Sequence, residues 1–546
     1  MSSHAAFRRQ PVPGQYAQAL QTITIPAPTR GIIQSENAAF MQPGGAQVQD
    51  NWVSTMRGIK LRGGCTRWCE LPETTPVISA FEYEDANIDK MFAANAEKLY
   101  DVSATIPIEV VSGQHSGNWT AVQLANAADR WMIAVNDSGV DYPLRFNGVA
   151  WEVLDHTLGT PPSNLITGPA STPVEYGLGL VHVCKYRNRL YFIELNSMNA
   201  WYLGIDAVGG LLNLIPLSGA ASKGGKLLFS AVWSADTGDG LDDKLVFATD
   251  LGELLVFTGT NPADAANWRQ EGRFSISTPL GMNAHFTIGG DLMIMTYDGI
   301  VPVSQATQKD AGALELAMIT RAIKPMWREE VDDKRDKPWT AKKWDRYGGI
   351  FVAMPGGTGA RKYCLGVNDA TGAWCRFTWD ATCWLLRNQE LFFGTQNGII
   401  MHADDGGYDD GLPYVATMVG GWEQFGSGAG QTVWHQARAV FIARPSEPFI
   451  PQLTSTTDYV VTIPAPPPAG IDPGPSDYWG EGLWDEAEWD ASSAPASTQR
   501  NTMWVSIGSS GFAHAPIVQV TVAQAARPNV ELIAISTVQE RGGVNV

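Results

Sequence analysis

A strand pair that keeps returning is the feature that most limits what this sequence can become. The stretch Lys244-Leu245-Val246-Phe247-Ala248-Thr249 is apolar, turns at Asp250-Leu251-Gly252, and runs on through Glu253-Leu254-Leu255-Val256-Phe257. β-Branched and aromatic residues suit a pleated surface, and Gly252 can take the positive φ of a tight hairpin. A lone hairpin cannot bury its faces. The same order of two polar or glycine positions followed by an apolar run begins at Asp89, Asp129, Asn188, Asp243, Gly290 and Gln389, with a looser copy at Arg346. Turn signals follow at Tyr297-Asp298-Gly299 and Gln396-Asn397-Gly398. Successive copies start 40 to 59 residues apart. That is the scale of a four-stranded propeller blade with variable loops. The pattern predicts an all-β chain with a six- or seven-bladed β-propeller; the competing arrangement is a large β-sandwich carrying unrelated hairpins.

The chain of 546 residues exceeds one ordinary core and divides into three expected parts. Residues 1–45 form an extended N-terminal arm, since Pro11, Pro13, Pro26 and Pro28 break any helix and leave only a short strand at Thr22-Ile23-Thr24-Ile25. Such an arm is either a loose terminus or a segment laid on a neighbouring subunit. Residues 46–411 are expected to be the propeller. Within them, 313–327 has apolar residues at helical spacing, with Pro325 near its end, and 328–343 carries both charges interleaved, as a solvated loop does. Residues 412–546 read as a β-sandwich-like platform, with strand signatures such as Ala437–Ile442 and Pro516–Val522. Inside the platform, 464–500 is a long acidic insertion. A loop of that length in a compact domain is uncommon unless it has a function or is disordered. Trp479, Trp484 and Trp489 argue against simple disorder and are candidate interface anchors.

Charge narrows the partners. The formal net charge is −18, which opposes a general phosphate-gripping surface but suits a wall past which DNA slides. Residues 401–500 hold 14 acids and three bases. Asp404, Asp405, Asp409 and Asp410 are therefore candidates for an acidic lumen. The segment His402–Gly411 lacks the alternating ligands and closing glutamate of a calcium loop and reads as a turn-rich domain junction. Cys65 and Cys69 stand four apart with no second pair, so neither a metal nor another cofactor is expected. The first ten residues carry Arg8 and Arg9 without a following apolar core, which does not read as a signal peptide. No apolar run approaches the roughly 20 residues that span a bilayer, so stable membrane insertion is not expected. Near the arm, Arg57, Lys60, Arg62 and Arg67 read first as the solvated charges of an edge strand and second as a nucleic-acid contact.

Several short motifs, in order, carry a resemblance. Pro28-Thr29-Arg30-Gly31, Asn51-Trp52 and Arg62-Gly63-Gly64 resemble the start of the tail hub or tail nozzle proteins of short-tailed bacteriophages, although Ser54-Thr55 stands where that family has a proline in the turn. Asn368–Trp374, a turn running into Gly-Ala-Trp, is similar to a later family segment. Asp404-Asp405-Gly406 resembles the exit from the family's propeller, and Val538–Gly543 resembles its C-terminus. The resemblance implies a virion protein made in the host bacterial cytoplasm, six copies of which form a ring in the tail. That ring would sit below the portal and adaptor proteins, continue the DNA channel, retain packaged DNA until ejection and dock tail fibres.

Convergent catalytic chemistry is not visible: the sequence has no Gly-x-Ser-x-Gly, phosphate loop or His-Glu-x-x-His. A propeller glycan hydrolase or lectin for host recognition is the alternative function, with Asp250, Glu253 and Asp298 as its carboxylates. Each of those sits at a turn that explains it structurally, so a non-enzymatic protein is expected. A monomeric propeller scaffold for protein partners is the third reading.

Overall fold

Strand Asp243–Thr249 pairs antiparallel with Glu253–Gly259, Val246 facing Val256, as the opening repeat predicts. Gly252 makes the turn at φ +72°, and a Cβ there would lie 2.3 Å from the Ile276 carbonyl oxygen, so no other residue fits. Leu227–Ser234 and Trp268–Ser275 complete a four-stranded blade. Alternation along the strands then explains why they are apolar on both faces. Val246, Ala248, Leu254 and Val256 pack toward the next sheet with Leu292 and Ile294, while Leu245, Phe247, Leu255 and Phe257 pack toward the preceding one with Tyr191 and Tyr202.

The structure is a computed structural model describing residues 20–154, 166–234, 243–264, 266–309, 311–354, 356, 363–424, 430–444, 447–470 and 498–541. It is a β-propeller with a β-sandwich platform. Six four-stranded blades lie at 79–111, 119–153, 180–216, 227–275, 340–377 and 381–403, and a three-stranded sheet at 285–302 completes the ring. Neighbouring sheets touch in turn around the axis, and Ser79–Glu84 meets both Trp119–Ala125 and Ala381–Arg387, so the circle is closed. The last blade takes its fourth strand, Cys65–Glu70, from before the first blade, antiparallel to Ile399–Ala403. All six cysteines are free and buried.

The platform is assembled from both ends of the chain. One sheet holds Trp52–Ser54, Ile59–Leu61, Thr432–Ala443, Thr498–Asn501, Val505–Gly511 and Val530–Arg541, with Gln21–Pro26 paired to the last. The facing sheet holds Ala46–Asp50, Tyr414–Gly420, Gln452–Thr457 and His514–Val522. Between them lie Trp52, Met418, Phe441, Val520 and Leu532. Residues 46–61, expected to open the propeller, thus belong to the platform, and the arm supplies a platform strand. The second sheet is also continuous with the 340–377 blade, since Asp50 bridges Arg376, making one eight-stranded sheet.

The helical insertion sits later than its sequence signal. Short turns of helix at 311–323 lead into Lys324–Lys334, with Pro325 in the first turn rather than near the end. Proline is well placed there because the first amides have no intrahelical acceptor. The expected solvated loop 328–343 is instead mostly helix and blade strand Thr340–Trp344. Its charges deceive: Lys334 Nζ donates to Glu330 at 2.6 Å with both side chains buried, and the Trp339 indole donates to the Lys334 carbonyl at 2.9 Å. This helix contacts Gly299–Pro302, the last strand of the three-stranded sheet. Among the described residues no helix is long and apolar enough to cross a membrane.

Candidate functional site at the propeller–platform junction

Arg62 follows the edge of a platform strand and is fully buried. Its Nη1 and Nη2 donate to the two oxygens of Asp409 at 2.8 and 2.5 Å, Nε donates to Asn51 Oδ1 at 2.7 Å, and Nη1 and Nη2 also reach the Gly63 carbonyl and Thr378 Oγ1. The guanidinium lies 4.0 Å from the ring centre of Tyr414 and 5.1 Å from that of Trp379. Planar, bidentate pairing with stacking is a task for arginine that lysine cannot perform. Burial alone would lower the Arg62 pKa, but the Asp409 carboxylate outweighs it and holds the pKa above its ordinary value. Its sequence context suggests a solvated edge charge; Arg62 is instead the centre of the joint.

The neighbouring residues explain the glycines and the asparagine. Asn51 adopts φ +61°, which asparagine tolerates, and donates from Nδ2 to the Val415 carbonyl at 2.7 Å. Gly63 N donates to Asp404 Oδ1 at 2.8 Å, and Gly64 N donates to the Gly406 carbonyl at 2.8 Å. A Cβ on Gly64 would stand 2.0 Å from the Tyr408 carbonyl oxygen. Gly31, at φ +72°, lies against Trp374, where a Cβ would be 2.5 Å from the carbonyl oxygen. Segments far apart in sequence are therefore brought together: 28–31 meets 374, 51 meets 62, and 62–64 meets 404–409.

The four candidate lumen carboxylates all lie at this joint. Asp409 is bound to Arg62, Asp404 pairs with Arg527 at 2.8 Å, Asp410 pairs with Arg67 at 2.6 Å, and Asp405 accepts from Thr66 Oγ1 at 2.7 Å. Burial pushes the Asp404 carboxyl upward against the pull of Arg527. The Asp409 charge is thus paired with a buried arginine and that of Asp404 with an exposed one. Trp479, Trp484 and Trp489 lie outside the described residues. Of the alternative catalytic carboxylates, Asp250 accepts from Lys226 N at 2.8 Å. Glu253 accepts from Ser222 N, Ser222 Oγ and Lys223 N, and Asp298 pairs with Arg328. Each closes a turn or an ion pair. Among the described residues no group of three or more His, Cys, Asp or Glu side chains is arranged to hold a metal ion.

Sequence reading missed Arg62 and Arg527 as partners of the acids. A signal was present in Arg62-Gly63-Gly64, because paired glycines permit a close backbone approach.

No family model matches the chain, and no curated protein sequence matches it. Solved structures align with it weakly. The computationally designed Ika8 protein aligns at 10% identity and TM-score 0.33, covering 62% of this chain and 99% of its own. YCF48 bound to D1 peptide aligns at 12% identity and TM-score 0.34, covering 63% and 97%. Sqt1 of Saccharomyces cerevisiae aligns at 9% identity and TM-score 0.33, covering 66% and 97%.

Proposed function

We propose that this chain is a structural subunit of a short-tailed phage virion, a tail hub or nozzle protein. Six copies form a ring that continues the DNA channel below the portal and adaptor, retains packaged DNA and docks tail fibres. The observation that carries this reading is the gathering of the family-like motifs at one joint. Residues 28–31, 51–52, 62–64, 374 and 404–409 are far apart in sequence yet meet between propeller and platform. A subunit that holds back a compressed genome must transmit load between its parts without hinging. A shared eight-stranded sheet and a buried arginine–carboxylate pair suit that task. The overall charge of −18 supports passage of DNA without adhesion. Ring closure would use a heterologous interface, one face of a chain meeting a different face of the next. The mechanism is mechanical, with no covalent step of its own.

Mass measurement in solution tests the proposal, by light scattering and native mass spectrometry with and without a portal–adaptor complex. A six-fold assembly is expected, at least on the portal complex. A stable single chain under both conditions overturns it and favours the monomeric scaffold.

A further inference from the structure

The seven inner strands of the propeller enclose an axial cavity of about 540 Å³, and a mouth of about 650 Å³ lies where those strands begin. The two share Asn283. Volumes of this size belong to sites for small ligands.

The wall is polar in an unusual way. His182, on strand Leu180–Tyr186, is only 1% exposed, and no protein group reaches either of its ring nitrogens. Its ring centre lies 5.9 Å from that of His285. These two residues come from the sheets on either side of the 227–275 blade, whose Phe229 stacks on His285 with ring centres 4.4 Å apart. Gln123 Nε2 and Trp384 Nε1, from two further lining residues, are also buried without a partner. Glu82 and Lys342 line the same cavity and form no ion pair with each other; burial raises the Glu82 carboxyl while Lys342 lowers it. Burial lowers both histidines, His182 well below its ordinary range and His285 to about 4, so both are neutral near pH 7.

A buried polar atom left unmet is costly, so this wall is suited to being met by a guest. An anion would face Glu82, and a cation would face Lys342. A purely apolar guest would leave His182 unsatisfied. A hydroxyl group both donates and accepts, which matches a wall that mixes amide and indole donors with the acceptor nitrogens of neutral imidazoles. Phe81 and Trp119 supply apolar surface beside these groups. We propose that the axial cavity binds a neutral saccharide of one or two rings, its hydroxyls meeting His182, Gln123 and Trp384.

The site is independent of ring assembly, and its test is separate. Saturation-transfer difference NMR on the full chain would use glucose, galactose, N-acetylglucosamine, maltose and lactose, with sodium acetate and glycine as charged controls. Transfer to at least one sugar is expected. Affinity should fall at least tenfold in Gln123→Ala and in His182→Phe, which removes both ring nitrogens, and stay unchanged in Trp504→Ala on the platform. Circular dichroism establishes that each variant is folded; if His182→Phe is not, Gln123→Ala decides. Absence of transfer to every sugar, transfer that survives the cavity variants, or transfer to acetate or glycine alone overturns the proposal.

Discussion

At the joint, Arg62 is fully buried and bonds to Asp409, Asn51, Gly63 and Thr378; on the propeller axis, His182 is as deeply buried and no protein group meets its ring nitrogens. The same chain thus treats buried polarity in two ways. Where every lone pair and proton is matched, a charge can serve as a locking pin, and its removal leaves an orphan. Where groups are left unmatched around a cavity, they are available to an outside molecule. The contrast can be tested by substitution at each end.

The largest expected effect is at the pin. Arg62→Ala leaves Asp409 without its partner and should cost roughly 3–5 kcal/mol, read as a fall in the urea midpoint. Arg62→Met combined with Asp409→Leu should cost much less than the two single changes together, because neither leaves an uncompensated charge. Additive losses would mean the pair is not coupled.

Acid should weaken the axis next. His182 and His285 have folded pKa values below the unfolded value, so their contribution is complete above about pH 6.5 and is lost as pH falls from there, for His285 through about 4. Water reaches part of His285, so its share should fall below the about 3 kcal/mol that its full shift would give. Urea melts between pH 7 and pH 4.5 should show this slope, and His285→Phe should flatten it. An unchanged slope would place the acid sensitivity elsewhere.

Backbone approach ranks third. Gly64→Ala places a methyl against the Tyr408 carbonyl and should destabilise by about 2 kcal/mol, whereas Gly113→Ala, where nothing lies within 4 Å but φ is +74°, should cost about 1 kcal/mol from conformation alone. Thermal melts of the two variants separate contact from conformation. Smallest is Arg67→Ala at the exposed rim of the joint. Its pairs with Asp410 and Glu70 should contribute under about 1 kcal/mol, an effect that should vanish in high salt.

The sequence makes the blades legible and the joint obscure, for a physical reason. Strands such as Asp243–Thr249 are buried on both faces, so they print an uninterrupted apolar run that can be read locally. The strand Cys65–Glu70 buries only Cys65 and Cys69 fully, and nothing in its six residues announces a partner at Ile399–Ala403. Arg62 likewise looks like any surface arginine until Asp409 is brought beside it. Pro325 misled because proline marks a helix's start as readily as its end. Asp404 and Asp409 had the charge of a channel wall, but their pairing with arginines is a tertiary property.

Closing the ring with Cys65–Glu70 has a consequence for synthesis. On the ribosome this segment emerges more than three hundred residues before Ile399–Ala403, the strand it must join. At about 5–20 residues per second, the interval is on the order of tens of seconds. Gln21–Pro26 waits longer still for Val530–Arg541. Throughout that wait each nascent chain exposes an unmatched β edge, which makes a neighbouring chain's late strand a competitor for it. Correct folding therefore rewards translation that spaces these molecules apart.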